Sequence, residues 1–199
     1  MTRPLTEFEA DTRCTPDGDG RFRVDVSDRW SVGTGANGGY AAGLLARAID
    51  LATPDRPLRS MTAHFLRPPT PGPATVEVDV VRAGRSLSVL DAALVRDGEA
   101  LVVARAAVAS PREAVSFCDR PAPDFPPPAE LEREDWGEPD FIRRRYDTRY
   151  VEGTMPPVLS GRGVVSGWIR TVDDCPVDRP LAVALTDAWV PPVLMRTDP

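Results

Sequence analysis

The chain has 199 residues, 42% of them apolar, enough for one large domain or two small ones with a real hydrophobic core. Its net charge of −6 and pI near 4.9 argue against a nucleic-acid surface, because phosphate binding needs a basic patch. No apolar run reaches membrane-span length, and the opening "MTRPLTEFEADTR" lacks the apolar core of a secretion signal.

Cys14, Cys118 and Cys175 are odd in number and lack metal-ligand spacing, so neither a disulfide framework nor a metal site is expected. All 24 basic residues are arginine, a bias that suits a GC-rich bacterial genome. The expectation is an acidic cytoplasmic protein with no cofactor and with neither nucleic acid nor membrane as a partner.

In chain order, "RFRVDVSDRWSVG" (21–33) alternates Phe22, Val24 and Val26 with polar residues, the period of a half-buried strand. Residues 39–52 follow as a helix that is apolar nearly all round. Asn37 is its candidate N-cap and Pro54 its stop, so it is expected to be buried. The two-residue period then returns in four segments, 58–68, 74–85, 86–98 and 99–110, with Asp97-Gly98 marking a hairpin. One strand, one buried helix and four antiparallel strands make an α+β unit whose sheet curls round the helix.

Residues 111–137 are Pro-rich and acidic and read as an extended linker. Order resumes with strand candidates at 140–153 and 161–174 and a short helix at 181–189, broken by Pro191-Pro192. The "RRR" run (143–145) reads as an exposed strand edge. Strand material followed by a helix repeats the order of the first half, so the expected organisation is 1–110, a linker at 111–137, and 138–199 as the beginning of a second, similar unit. Helix 181–189 carries Leu181, Val183, Ala184, Leu185, Ala188 and Trp189. That is too much apolar surface for water. The first unit's sheet and the linker are expected to shield part of it, and a homo-oligomer the rest.

Four features with matching order and spacing carry a family resemblance. They are Gly38-Gly39 at the helix start, "HFLRP" (64–68), "RAGRS" (82–86) and the "DG" hairpin (97–98). In these the chain resembles the acyl-CoA thioesterase II-like family, whose members carry two tandem hotdog folds. The resemblance implies a complete first hotdog, a partial second one, and an acyl-CoA or other acyl-thioester substrate. More weakly, "GWIRTVDDCPVDRPLAVALTDAWVPP" looks like the start of the second hotdog, and places Asp187 where the family has a catalytic aspartate. The family's other polar catalytic residues, a hydroxyl residue and a glutamine, come from later strands. The chain therefore reads as cut within its second hotdog and is expected to hydrolyse acyl-CoA poorly.

A partly desolvated carboxylate can orient and deprotonate water, which is the role considered for Asp187 beside a solvated helix-end alternative. Gly38, Gly39 and Tyr40 stand at a helix N-terminus, where N–H groups can hold a thioester oxygen, although glycines there also permit close packing. The single histidine, His64, reads as pocket-lining or structural, since no Ser or Cys stands in a nucleophile elbow. Arg67, Arg82 and Arg85 are candidates for the phosphates of coenzyme A. A non-catalytic acyl-thioester-binding or assembly protein is the alternative to the thioesterase. Hydratase chemistry is disfavoured because neither helix contains histidine.

Overall fold

The structure, a computed structural model, describes residues 3–134, 142–154 and 157–196. The boundary expected at 137–138 falls outside them. The first 110 residues contain α1 (Glu7–Asp11), β1 (Thr15–Pro16), β2 (Arg21–Val26), β3 (Ser31–Val32), β4 (Gly35–Ala36), α2 (Gly38–Ala52), β5 (Leu58–Phe65), β6 (Gly72–Ala83), β7 (Leu87–Arg96) and β8 (Glu99–Ala109). A six-stranded antiparallel sheet, in the order β1-β2-β6-β7-β8-β5, packs against α2. This is the hotdog fold.

Alternation in sequence becomes alternation of faces. Phe22, Val24 and Val26 of β2, Val76 and Val78 of β6, and Leu90, Ala92 and Leu94 of β7 are buried on the helix side. The β7–β8 connection is the expected two-residue hairpin. Arg96 pairs with Glu99, and Asp97 and Gly98 both take positive φ, 51° and 80°.

Helix α2 is buried from Gly39 to Ala46 and again at Ala48 and Ile49. Asn37 caps it, its side chain accepting from the Tyr40 N–H at 3.0 Å. Thr53 closes the far end by donating to the Ile49 carbonyl at 2.8 Å. The sequence reading of 21–33 as one strand is corrected. The strand ends at Val26, and Ser27 caps a 3₁₀ turn over Asp28–Trp30 that drives Trp30 into the core, 1% exposed. There Trp30 stacks on Tyr40 at 5.6 Å, meets Phe8 of α1 edge-on at 5.3 Å, and donates its Nε1–H to Asp11 at 2.8 Å.

After β8 the backbone from 110 to 127 holds no helix or strand and is almost wholly exposed, as expected of a linker. Then come β9 (Tyr146–Glu152), β10 (Ser166–Thr171) and α3 (Arg179–Leu185), with β9 and β10 paired antiparallel as a separate sheet. The "RRR" run is a 3₁₀ turn rather than a strand edge, because the Arg145 guanidinium is drawn to Glu7 in the first turn of α1.

Asp178 caps α3, and the helix buries Leu181 and Ala184 against α2, not against the sheet or the linker. Glycine makes this approach possible. A Cβ on Gly39 would lie 2.3 Å from the Ala184 carbonyl oxygen, and one on Gly43 would lie 3.2 Å from that of Pro180. No helix among the described residues is long and apolar enough to cross a membrane.

The cysteines differ in burial. Burial pushes the Cys14 thiol up to about 12 and also raises Cys175, whereas Cys118 is exposed on the linker. Because the thiolate is the nucleophile, iodoacetamide on the native protein at pH 8 is expected to modify Cys118 alone. Equal labelling of Cys14, read by peptide mass spectrometry, would contradict this packing.

Candidate active site

The junction of α2 and α3 places one carboxylate at the end of a helix. Helix α3 stops at Leu185, two residues before Asp187, and the turn that follows lays the Asp187 side chain across the N-terminus of α2. Its Oδ2 accepts from the Gly39 N–H at 3.0 Å and from Asn37 Nδ2 at 3.1 Å, while Asn37 Nδ2 also reaches the Asp187 carbonyl at 3.0 Å. Oδ1 accepts no hydrogen bond among the described residues. Both glycines admit the carboxylate: a Cβ on Gly38 would sit 2.9 Å from Oδ2, and one on Gly39 would sit 3.0 Å from the Asp187 Cβ.

Asp187 itself is exposed and opens on a pocket of about 460 Å³. Asn37 and Gly38 form one wall. Tyr146 and Thr148, on the same face of β9, form another, and Trp189 and Leu194 close the apolar side. Phe65, at the end of β5, reaches the same spot, its ring 3.1 Å from a Cβ placed on Gly38. A larger open groove of about 980 Å³ lies beside β2; of the three arginines lining it, Arg29 pairs with Asp11 at 2.6 Å and Arg23 with Asp17 at 3.5 Å, while Arg13 has no ion pair among the described residues.

The structure brings Gly38, Gly39 and Asp187 together and separates the other candidates from them. Tyr40 points into the core, where its hydroxyl donates to the Asp11 carbonyl at 2.8 Å and accepts from the Ser27 N–H at 3.1 Å. His64 is exposed on the outer face of the sheet beside Glu77, Asp79, Asp91 and Arg105. Arg67 follows β5 at the Asp187 end and pairs with Glu99 at 2.9 Å. Arg85 lies in the β6–β7 turn at the opposite end of the sheet, its carbonyl accepting from Arg56 at 3.3 Å. The two arginines are thus divided by the length of β5, about 23 Å at roughly 3.3 Å per residue.

The sequence reading missed Asn37 as a contact of Asp187, and it missed Phe65 and Tyr146 as pocket residues. Only Asn37, already marked as a helix cap, carried a local signal.

A sheet curled round one helix, with a carboxylate on that helix's N-terminus, defines a hotdog-fold protein with a polar site at the helix end. Residues 26–110 match the family model of the acyl-CoA thioesterase N-terminal domain. A conserved hotdog-fold protein of unknown function from Alicyclobacillus acidocaldarius superposes with a TM-score of 0.88 at 26% identity, over 97% of this chain and 73% of its own. A proposed thioesterase II from Thermobifida fusca superposes with a TM-score of 0.82 at 25% identity, over 98% of this chain and 76% of its own. An acyl-CoA thioesterase II from Mycobacterium marinum shares the fold, with a TM-score of 0.66 at 22% identity, over 91% and 66%. No curated protein matches the sequence.

Proposed function

We propose that the chain is a hydrolase of acyl-CoA thioesters, acting through a water held by Asp187. The observation that carries this is the carboxylate fixed through Oδ2 at the α2 N-terminus, with Oδ1 left to accept from a water at the pocket. The family match over residues 26–110 supports the substrate class.

In the first step the water oxygen forms a bond to the acyl carbon, its proton passes to Asp187, and the carbonyl π pair moves onto oxygen. In the second step the oxyanion collapses, the C–S bond breaks, and the CoA thiolate takes the proton back from Asp187. The products are a free acid and CoA, and Asp187 is restored.

Self-association belongs to the same proposal. Phe65 and Leu66 are more than half exposed at β5, which has a sheet neighbour on one side only, β8.

Thiol release from acyl-CoAs of two to sixteen carbons tests the reading. A slow release above the uncatalysed rate, confined to a subset of chain lengths, is expected. Absence of release at every length would overturn it.

A further inference from the structure

The end of α2 cannot serve Asp187 and a substrate oxygen with the same donors. Its first-turn N–H groups are largely taken: Gly39 donates to Asp187, Tyr40 to the Asn37 side chain at 3.0 Å, and Ala41 to the Asn37 carbonyl at 3.0 Å. The reaction still requires a donor for the oxygen that becomes negative. Among the residues lining the pocket, one carries a fully buried hydroxyl with no partner among the described residues. Tyr146 is 3% exposed, and its hydroxyl is the buried side-chain polar atom without a hydrogen bond among the described residues. Burying an unsatisfied hydroxyl is costly, and native proteins keep such groups rarely.

The ring is also held in place. It meets Trp30 edge-on at 5.7 Å, and Trp30 is in turn fixed by its bond to Asp11 at 2.8 Å. A rigid, dry, unpaired donor on the wall that faces a carboxylate is preorganised for a ligand oxygen. Burial, with the Asp187 charge adding to it, raises the Tyr146 phenol above its ordinary range, so it stays protonated.

From the pocket geometry we infer that the Tyr146 hydroxyl donates to the thioester carbonyl oxygen of the bound acyl-CoA, opposite the water at Asp187. This rests on the thioester reading of the pocket. It assigns a substrate-contacting role to a β9 residue, on the half of the chain that also supplies Asp187. The hydroxyl stabilises the oxyanion as the C–O bond forms and remains protonated throughout.

The test compares wild type with Tyr146→Phe, which keeps the ring against Trp30 and removes only the orphaned oxygen. Three readouts are used: hexanoyl-CoA hydrolysis, binding of S-(2-oxoheptyl)-CoA, which retains the carbonyl, and binding of S-heptyl-CoA, which lacks it. The variant is expected to melt no lower than wild type, to lose at least about ten-fold in kcat/KM, and to lose comparably in ketone affinity with thioether affinity unchanged. Equal ketone binding by wild type and variant would overturn the inference, as would an equal loss on both analogues. If wild type releases thiol from no acyl-CoA of two to sixteen carbons but its ketone binding depends on Tyr146, the hydrolase reading falls and the Tyr146 contact stands. If wild type binds neither analogue, the Tyr146 inference falls, and the hydrolase reading stands or falls with thiol release alone.

Discussion

Asp187→Asn is expected to slow thiol release from acyl-CoA by about 10²–10⁴-fold, the usual contribution of a positioned base, with little change in melting temperature. Asparagine can still accept from the Gly39 N–H through its amide oxygen, so the contact at 3.0 Å that ties the α3 turn to α2 survives. What is lost is the negative charge and the ability to take a proton from water. Asp187→Ala removes the contact as well, leaving the Gly39 N–H and the Asn37 amide without that acceptor, and should lower stability besides rate. Measuring both variants by thiol release and thermal unfolding separates chemistry from anchoring. A full rate in Asp187→Asn would remove Asp187 from the mechanism.

Gly39→Ala is the second large effect. The new methyl would meet the Ala184 carbonyl oxygen at 2.3 Å, far inside contact distance, and the Asp187 Cβ at a tight 3.0 Å, and the first of these is backbone that cannot swing aside. Helix α3 must therefore move off α2. Overpacking of this kind costs about 1–3 kcal/mol, with about 2–4 °C of melting temperature per kcal/mol for a chain of this size. The displacement also carries Asp187 away from the helix N-terminus, so the rate falls with the stability. Gly43→Ala meets the Phe8 ring and the Pro180 carbonyl oxygen at 3.2 Å, contacts that a shift of a few tenths of an ångström relieves, and is expected to be milder. Equal melting of Gly39→Ala and wild type would contradict the α2–α3 contact.

The sheet was legible because its chemistry is periodic. Alternation in β2, β6, β7 and β8 marked the strands, and Asp97-Gly98 marked the hairpin that pairs Arg96 with Glu99. Helix α2 was legible because a segment apolar on every side has to be enclosed. Its neighbour was not, since glycine and alanine allow close approach without naming the partner, and Gly39 and Gly43 fit helix-on-sheet or helix-on-helix equally well.

Helix α1 was overlooked although "TEFE" holds its capping box, Thr6 and Glu9 bonding each other's backbone. Five residues are too few for periodicity to register. Asp187 was singled out chiefly by the resemblance, its place just before the Pro191-Pro192 break adding little. Tyr146 had no signal at all, because an orphaned hydroxyl is a property of the surroundings, and its surroundings come from α1, the Trp30 turn and β9.

The hydrogen bonds that build the pocket span 148 residues between Gly39 and Asp187 and 150 between Asn37 and Asp187. The sheet, by contrast, is made from hairpins and other contacts within the first 110 residues. Closing so long a loop costs entropy that local pairing does not, and contacts of high sequence separation slow folding. The sheet and its helix can assemble while the site does not yet exist. On the proposed reading, competence for chemistry arrives as a late kinetic event, when the chain beyond the linker docks, rather than as a property that grows with the fold.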